Sequence, residues 1–298
     1  MGGLRALFKT LAVRVGQRPA IHVPEAPARY RPAVGQPGKD AVWVPIPQTM
    51  ITPMLTMAKV TPQDFVVDLG SGDGRIAIAA AVQFGARAMG VEYDAEMVAL
   101  SRHEAHAAGV ADRATFIQAD LFETDFSGAD VITMYLLPQM IERLQLRFLF
   151  LRPGTRIVSQ TFRMRDWIAD ARVVKDGRSA YLWVVPAKVA GDWQLSEDER
   201  SDCMRLALTQ RHQFIDGTAQ CGDTSAKLRK SVLSGAHIRF VIATRGEKRE
   251  YVGEVDGDSM RGTVHTASGT TRGQWIARRV PIASFRSDQS EAPCATNQ

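Results

Sequence analysis

Short apolar runs alternate with longer segments of helical period between Val42 and about Pro186. Residues 65–69, 88–92, 115–118, 131–135 and 156–159 predict strands, the first of them stopped by glycines. Residues 49–58, with Thr49 as an N-cap candidate, and 75–84, 95–108 and 139–150 predict helices. This alternation argues for a mostly parallel sheet with helices on both faces, and the near-continuous apolar strands fit that burial. After Pro186 the style changes. Residues 205–214, 238–244, 250–255, 260–266 and 273–279 read as strands joined by turns at Asp216-Gly217, Asp256-Gly257-Asp258 and Ser268-Gly269. Close spacing and Asp-Gly turns predict an antiparallel meander rather than more βαβ units. The expected fold class is α/β, a doubly wound sheet with a C-terminal antiparallel β domain. The expected divisions are 1–39, a basic Pro-rich arm; 40–189, the doubly wound domain; 190–284, the β domain; and 285–298, a disordered polar tail.

Composition narrows the class. The chain has 298 residues, 45% hydrophobic and 23% charged, which excludes a wholly disordered or fibrous protein. No run of about 18 apolar residues occurs, so no transmembrane helix is expected. Three cysteines without a C-x-x-C pair exclude a disulfide scaffold and a cysteine zinc site, and fit a cytoplasmic location. The net charge of +5 sits in the arm: residues 1–39 hold seven of the 37 Lys/Arg and one of the 32 Asp/Glu. The remainder is neutral, so nucleic acid is not the expected partner. The arm is a solvated tail or a contact to a membrane surface or acidic partner. No His/Asp cluster suggests a metal, and His103 and His106 read as exposed polar positions.

Candidate chemistry concentrates at the predicted strand ends. Asp68-Leu69-Gly70-Ser71-Gly72-Asp73-Gly74 follows the first strand and precedes a helix. Glycines at every second position permit a tight turn and leave no Cβ between loop and ligand. The loop lacks the Lys of a phosphate-binding loop and the G-x-G-x-x-G spacing of a dinucleotide loop. The anionic Asp68 points to a cationic ligand without phosphate, and S-adenosylmethionine, with a sulfonium and an ammonium, is one. Glu92, 22 residues after Gly70, is placed to accept both hydroxyls of a ribose, or is a solvated loop acid. Asp120 is placed to take an adenine amine with Leu121 covering the ring, or is a turn or N-cap residue.

With these residues in place, the sequence over roughly 40–188 resembles the class I S-adenosylmethionine-dependent methyltransferases. The resemblance implies a Rossmann-like sheet of seven strands with a reversed final strand, for which residues 181–185 are the candidate. More narrowly, Val44-Pro45-Ile46-Pro47-Gln48, the stretch from Asp68 to Arg75, and Tyr135-Leu136-Leu137-Pro138 resemble the lysine methyltransferases of the ATP synthase c-subunit and adenine nucleotide translocase, with their bacterial relatives. The implied cofactor is S-adenosyl-L-methionine, held by Thr49, Asp68, Gly70, Ser71, Gly72, Gly74, Glu92, Tyr93, Asp120 and Leu121. The implied acceptor is a protein lysine, approaching over Tyr135 and Pro138, where Tyr135 either faces the amine or is a core aromatic. The chain lacks the polar first residue of the Asp/Asn-Pro-Pro-Tyr/Phe motif common in amine methyltransferases, which argues against adenine and glutamine acceptors. A small-molecule O- or N-methyltransferase and a non-catalytic cofactor-binding protein are the alternatives. The arginines among the C-terminal strands read as a charged solvent face, or as a basic face for RNA.

Overall fold

A computed structural model describes residues 30–197, 204–244, 247–266 and 268–281. The expectations for residues 1–29 and for the tail at 285–298 fall outside the described residues. The first half of the chain runs α1 (Gln48–Met57), β1 (Phe65–Leu69), α2 (Arg75–Phe84), β2 (Arg87–Glu92), α3 (Ala95–Ala107), β3 (Ala114–Gln118), β4 (Val131–Met134), α4 (Pro138–Phe148), β5 (Arg156–Gln160), β6 (Ala171–Lys175) and β7 (Arg178–Val184). The seven strands form one sheet in the order β3-β2-β1-β4-β5-β7-β6. β1 to β5 are parallel, and β7 lies antiparallel beside β5 with Ser159 opposite Tyr181. The reversed strand is therefore where the resemblance implied. Its edge partner β6 is not among the predicted strands, because its residues are mostly exposed and show no apolar run.

Period-two alternation divides each strand between two cores. Val66, Val131 and Val158 pack with α1, α2 and α3, whereas Val67, Ile132 and Ile157 pack with α4 and Trp183. Strand order reverses between β1 and β4, and in open α/β sheets the ligand crevice lies outside the strand ends at such a point. Helix α1 corrects one expectation. Its N-cap is Pro47 and no side chain caps it. Thr49 lies inside the helix with its side chain exposed, while Met50, Ile51, Met54 and Leu55 form the buried face.

The second half runs β8 (Gly191–Glu197), β9 (Met204–Arg211), β10 (Phe214–Cys221), β11 (Thr224–Lys227), β12 (Arg229–Ser234), β13 (His237–Thr244), β14 (Glu247–Asp256), β15 (Ser259–Thr266) and β16 (Thr271–Arg279). These nine strands form an antiparallel sheet in the order β11-β10-β9-β8-β16-β15-β14-β13-β12. It curls until β10 meets β12 and β11 meets β13, a near-barrel closed around Trp193, Leu206, Phe240, Tyr251 and Trp275. One predicted turn is displaced. The β9–β10 reversal falls at His212-Gln213, with His212 at φ 53°, and Asp216-Gly217 lies inside β10. Gly217 is there because a Cβ would sit 2.3 Å from the Ala207 carbonyl oxygen of the paired strand.

The two halves meet through specific contacts. The buried Trp167 indole donates to the Gln213 side-chain oxygen at 3.0 Å and stacks on the His212 ring, centroids 5.3 Å apart. Gln213 in turn donates to the Ile168 carbonyl at 2.7 Å. Ala187 N–H donates to the Gly235 carbonyl at 2.8 Å.

Candidate active site

The loop after β1 is fixed by its glycines and by β2. Gly70, Gly72 and Gly74 have φ of 73°, 53° and 78°, the left-handed region that disfavours side chains. Added Cβ atoms would also collide: with the Leu136 side chain at Gly70, the Trp43 ring at Gly72, and the Phe116 ring and Ser101 at Gly74. The Gly70 and Ser71 amides donate to the Val91 carbonyl at 2.9 and 3.0 Å, holding the loop against the end of β2.

Around this loop lies a pocket of about 270 Å³. Of the residues expected to hold a cofactor, Asp68, Gly70, Ser71, Gly72, Glu92, Tyr93, Asp120 and Leu121 all line it. Tyr135 lines it too, with Leu136, Leu137, Met140 and Phe162. Three expected residues are not part of this lining. Thr49 is exposed on α1. Gly74 is the N-cap of α2, and its missing side chain makes room for Phe116 and Ser101 rather than for a ligand. Pro138 is the first residue of α4, where its missing N–H is harmless, and it borders a separate groove with Arg163, Arg172 and Tyr181.

The carboxylates are differently held. Asp68 is buried and accepts from the Thr133 hydroxyl at 2.7 Å. Burial pushes its carboxyl up to about 7, against the Thr133 bond and with help from the nearby charges of Asp73 and Glu92. Glu92 accepts from the amides of Tyr93 and Asp94 through Oε1 at 2.8 and 3.0 Å, and from Gly72 through Oε2 at 2.9 Å. Those three bonds fix its position in the pocket lining. Asp120 accepts from the Phe122 amide at 2.8 Å and from the Lys39 ammonium, and the Lys39 hydrogen bond holds its carboxyl below the ordinary range.

One wall is met by the sequence expectations only at Val44, Pro45 and Ile46. Residues 36–46, the end of the expected arm and the start of the expected domain, line the pocket opposite the strand ends. Lys39 reaches Asp120 and lies 4.8 Å over the Tyr93 ring. Arg75 grips Asp73 and donates to the Ile46 carbonyl at 2.9 Å, tying the segment to the glycine loop. Proline-rich irregular chain carries no periodic signal, so only the Val-Pro-Ile-Pro-Gln resemblance touched this wall.

The lining fits S-adenosylmethionine. Six carboxylates (Asp40, Asp68, Asp73, Glu92, Asp94 and Asp120) face two cations, Lys39 and Arg75, each already engaged by an acid. A ligand that brings positive charge and no phosphate suits that balance. The Ser71 hydroxyl is buried without a partner among the described residues and lines the pocket.

Elsewhere, His103 and His106 are exposed on α3. Arg205, Arg239, Arg249, Arg272 and Arg279 of the β half each pair with a carboxylate, and the Glu197 partner of Arg249 is buried. No helix among the described residues is long and apolar enough to cross a membrane.

Residues 68–171 match the ANTKMT methyltransferase domain. A protein-lysine N-methyltransferase of Saccharolobus islandicus (strain REY15A) is 40% identical over 149 residues, 48% of this chain and 92% of that protein. The ATP synthase c-subunit lysine N-methyltransferase of Xenopus laevis is 33% identical over 129 residues, 43% of this chain and 56% of that protein. Among solved structures, an RNA methyltransferase from Salinibacter ruber in complex with S-adenosyl-L-homocysteine is 45% identical, with 49% of this chain and 96% of that one covered and a TM-score of 0.48. The glycine loop, the acids at the ends of β1, β2 and β3, and near-complete coverage of the Saccharolobus relative meet in one conclusion: the chain belongs to the ANTKMT-domain family and is an S-adenosylmethionine-dependent methyltransferase.

Proposed function

We propose that the methyl acceptor is a lysine side chain of a protein, and that Asp68, Ser71, Glu92 and Asp120 hold the cofactor. Bound there, S-adenosylmethionine supplies a methyl group on a sulfonium, open to in-line attack by an amine lone pair. In this reading Asp68 takes the ammonium of the methionyl end, Glu92 takes the ribose hydroxyls, and Asp120 takes the adenine amine with Leu121 against the ring. No oxyanion forms, so the protein contributes mainly positioning, worth up to about 7–11 kcal/mol in ideal cases. A lysine must lose its proton to attack. The observation that carries the reading is the set of apolar side chains in the lining, Leu136, Leu137, Met140 and Phe162 with Tyr135, whose low polarity favours the neutral form of an alkyl amine. The naming of the Saccharolobus and Xenopus relatives as lysine methyltransferases supports it.

In the same reading, residues 40–189 form the cofactor unit and 190–284 the unit that selects the acceptor. The test is transfer from tritiated S-adenosylmethionine to the macromolecules of a cell lysate, followed by acid hydrolysis. Tritiated methyl-lysine is the expected product. Label confined to nucleic acid, to small molecules or to other amino acids would overturn the lysine assignment.

A further inference from the structure

The end of β5 carries a polar side chain to which the reaction as described gives no role. Gln160 is 0% exposed, and neither its amide nitrogen nor its amide oxygen has a hydrogen-bond partner among the described residues. A buried amide left unpaired is costly, and an apolar side chain of the same size would avoid that cost. Such a group in a native core calls for a reason.

Its place in the sheet supplies one. In the parallel register Thr133 of β4 lies beside Val158 of β5, so two residues on Tyr135 lies beside Gln160. Period-two alternation puts Thr133, Tyr135 and Gln160 on one face, and Asp68 shares it through its bond to Thr133. The chain then turns sharply. Thr161 has φ 70°, a strained value for a β-branched residue, and the Phe162 amide donates back to the Gln160 carbonyl at 2.9 Å. That turn delivers the Phe162 ring to the pocket wall. The unpaired amide does not itself line the pocket; it lies behind two rings that do, beside Tyr135 in the continued register and two residues before Phe162.

We propose that Gln160 receives the acceptor amine, its Oε1 accepting one N–H while the lone pair faces the methyl group. The proposal rests on the lysine reading above. Arrival of the acceptor turns Tyr135 or Phe162 aside and opens the amide to the pocket. In the step itself the N–C bond forms and the C–S bond breaks. The bonding pair leaves with sulfur as S-adenosylhomocysteine, and the new ammonium gives its proton to solvent. A neutral amide suits this place better than a carboxylate, which would hold the amine protonated and mask its lone pair.

Gln160→Met keeps the shape and removes the amide; Gln160→Glu keeps the shape and adds charge. In Gln160→Met the thermal midpoint should stay level or rise. Affinity for S-adenosylhomocysteine should stay within twofold, while tritium transfer to lysine in lysate proteins should fall at least tenfold. In Gln160→Glu the pH–rate profile should move up by a unit or more. Equal lysine labelling by wild type and Gln160→Met removes this inference alone. Weaker binding of S-adenosylhomocysteine by Gln160→Met assigns the amide to the cofactor and overturns it. An unmoved pH profile in Gln160→Glu also counts against it. Wild-type label on a residue other than lysine removes the lysine reading and this inference together.

Discussion

Lys39 and Asp120, 81 residues apart in sequence, form an ion pair across the mouth of the pocket. The pair closes residues 36–46 over the strand ends and occupies one oxygen of the carboxylate placed to meet an adenine amine. Two groups therefore compete for Asp120.

The first prediction follows from that competition. Asp120→Ala should weaken cofactor affinity about tenfold, the scale of one hydrogen bond to a charged group. Lys39→Met should leave affinity unchanged or raise it a few-fold, because the ligand no longer displaces an ammonium. Isothermal titration of both variants with S-adenosylhomocysteine decides. A clear loss in Lys39→Met would mean that the pair supports the bound state.

The second concerns Asp68. Its carboxyl is pushed up to about 7 by burial, far above the usual carboxylate range. Between about pH 4 and 7 the folded protein holds a proton there that the unfolded chain has released. This group therefore lowers stability as pH rises through that window and adds nothing further above it. Binding of an ammonium runs the other way, since it needs the carboxylate. Affinity for S-adenosylhomocysteine should rise about five- to tenfold from pH 6 to 7.5, then level above about pH 8, where the carboxylate is fully ionised. Asp68→Asn should bind weakly with no such rise. A flat profile in the wild type would remove the ammonium contact.

Much of this site was legible from the chain because β1, β2 and β3 announce themselves as apolar runs, and Asp68, Glu92 and Asp120 stand where those runs stop. The wall of residues 36–46 was not. Its position is set by Arg75 reaching the Ile46 carbonyl and by Trp43 lying against Gly72, contacts with no local periodicity. The β half was legible in class and in the strands β9 and β13 to β16, whereas β8, β10, β11 and β12 were not among the predicted strands. Asp216-Gly217 reads as a turn in sequence, yet its glycine serves close approach between paired strands, and His212 takes the left-handed turn position instead. Local propensity gave way there to tertiary packing.

A third prediction tests the junction of the halves. Gln213 is 9% exposed and bridges the Trp167 indole and the Ile168 carbonyl. Gln213→Ala leaves a buried indole N–H unpaired, so stability should fall by about 1–3 kcal/mol. Cofactor affinity should stay within twofold, because no pocket residue is touched. Urea unfolding with parallel titration reports both. A variant that is stable but binds cofactor poorly would show that the β half shapes the pocket.

The last prediction concerns Tyr135, which lines the pocket at the end of β4 while packing partly against the core beneath α1 and α2. If the acceptor is a lysine amine, the nucleophile carries its own lone pair and its last proton leaves to water after transfer. The phenol then orients the acceptor and is no obligatory base. Tyr135→Phe keeps the ring wall and should cost at most about 10²-fold in turnover, the low end of general acid–base contributions. Tyr135→Ala should cost more, because it opens the apolar wall to water and restores the ammonium. Cofactor affinity should hardly move in either variant, since Asp68, Glu92 and the backbone of the glycine loop keep their own hydrogen bonds whether or not the Tyr135 side chain is present. Single-turnover rates beside cofactor titrations separate these outcomes. A Tyr135→Phe protein that binds cofactor normally yet transfers nothing would require the hydroxyl itself. An oxygen acceptor, whose proton does need a base, would then replace lysine.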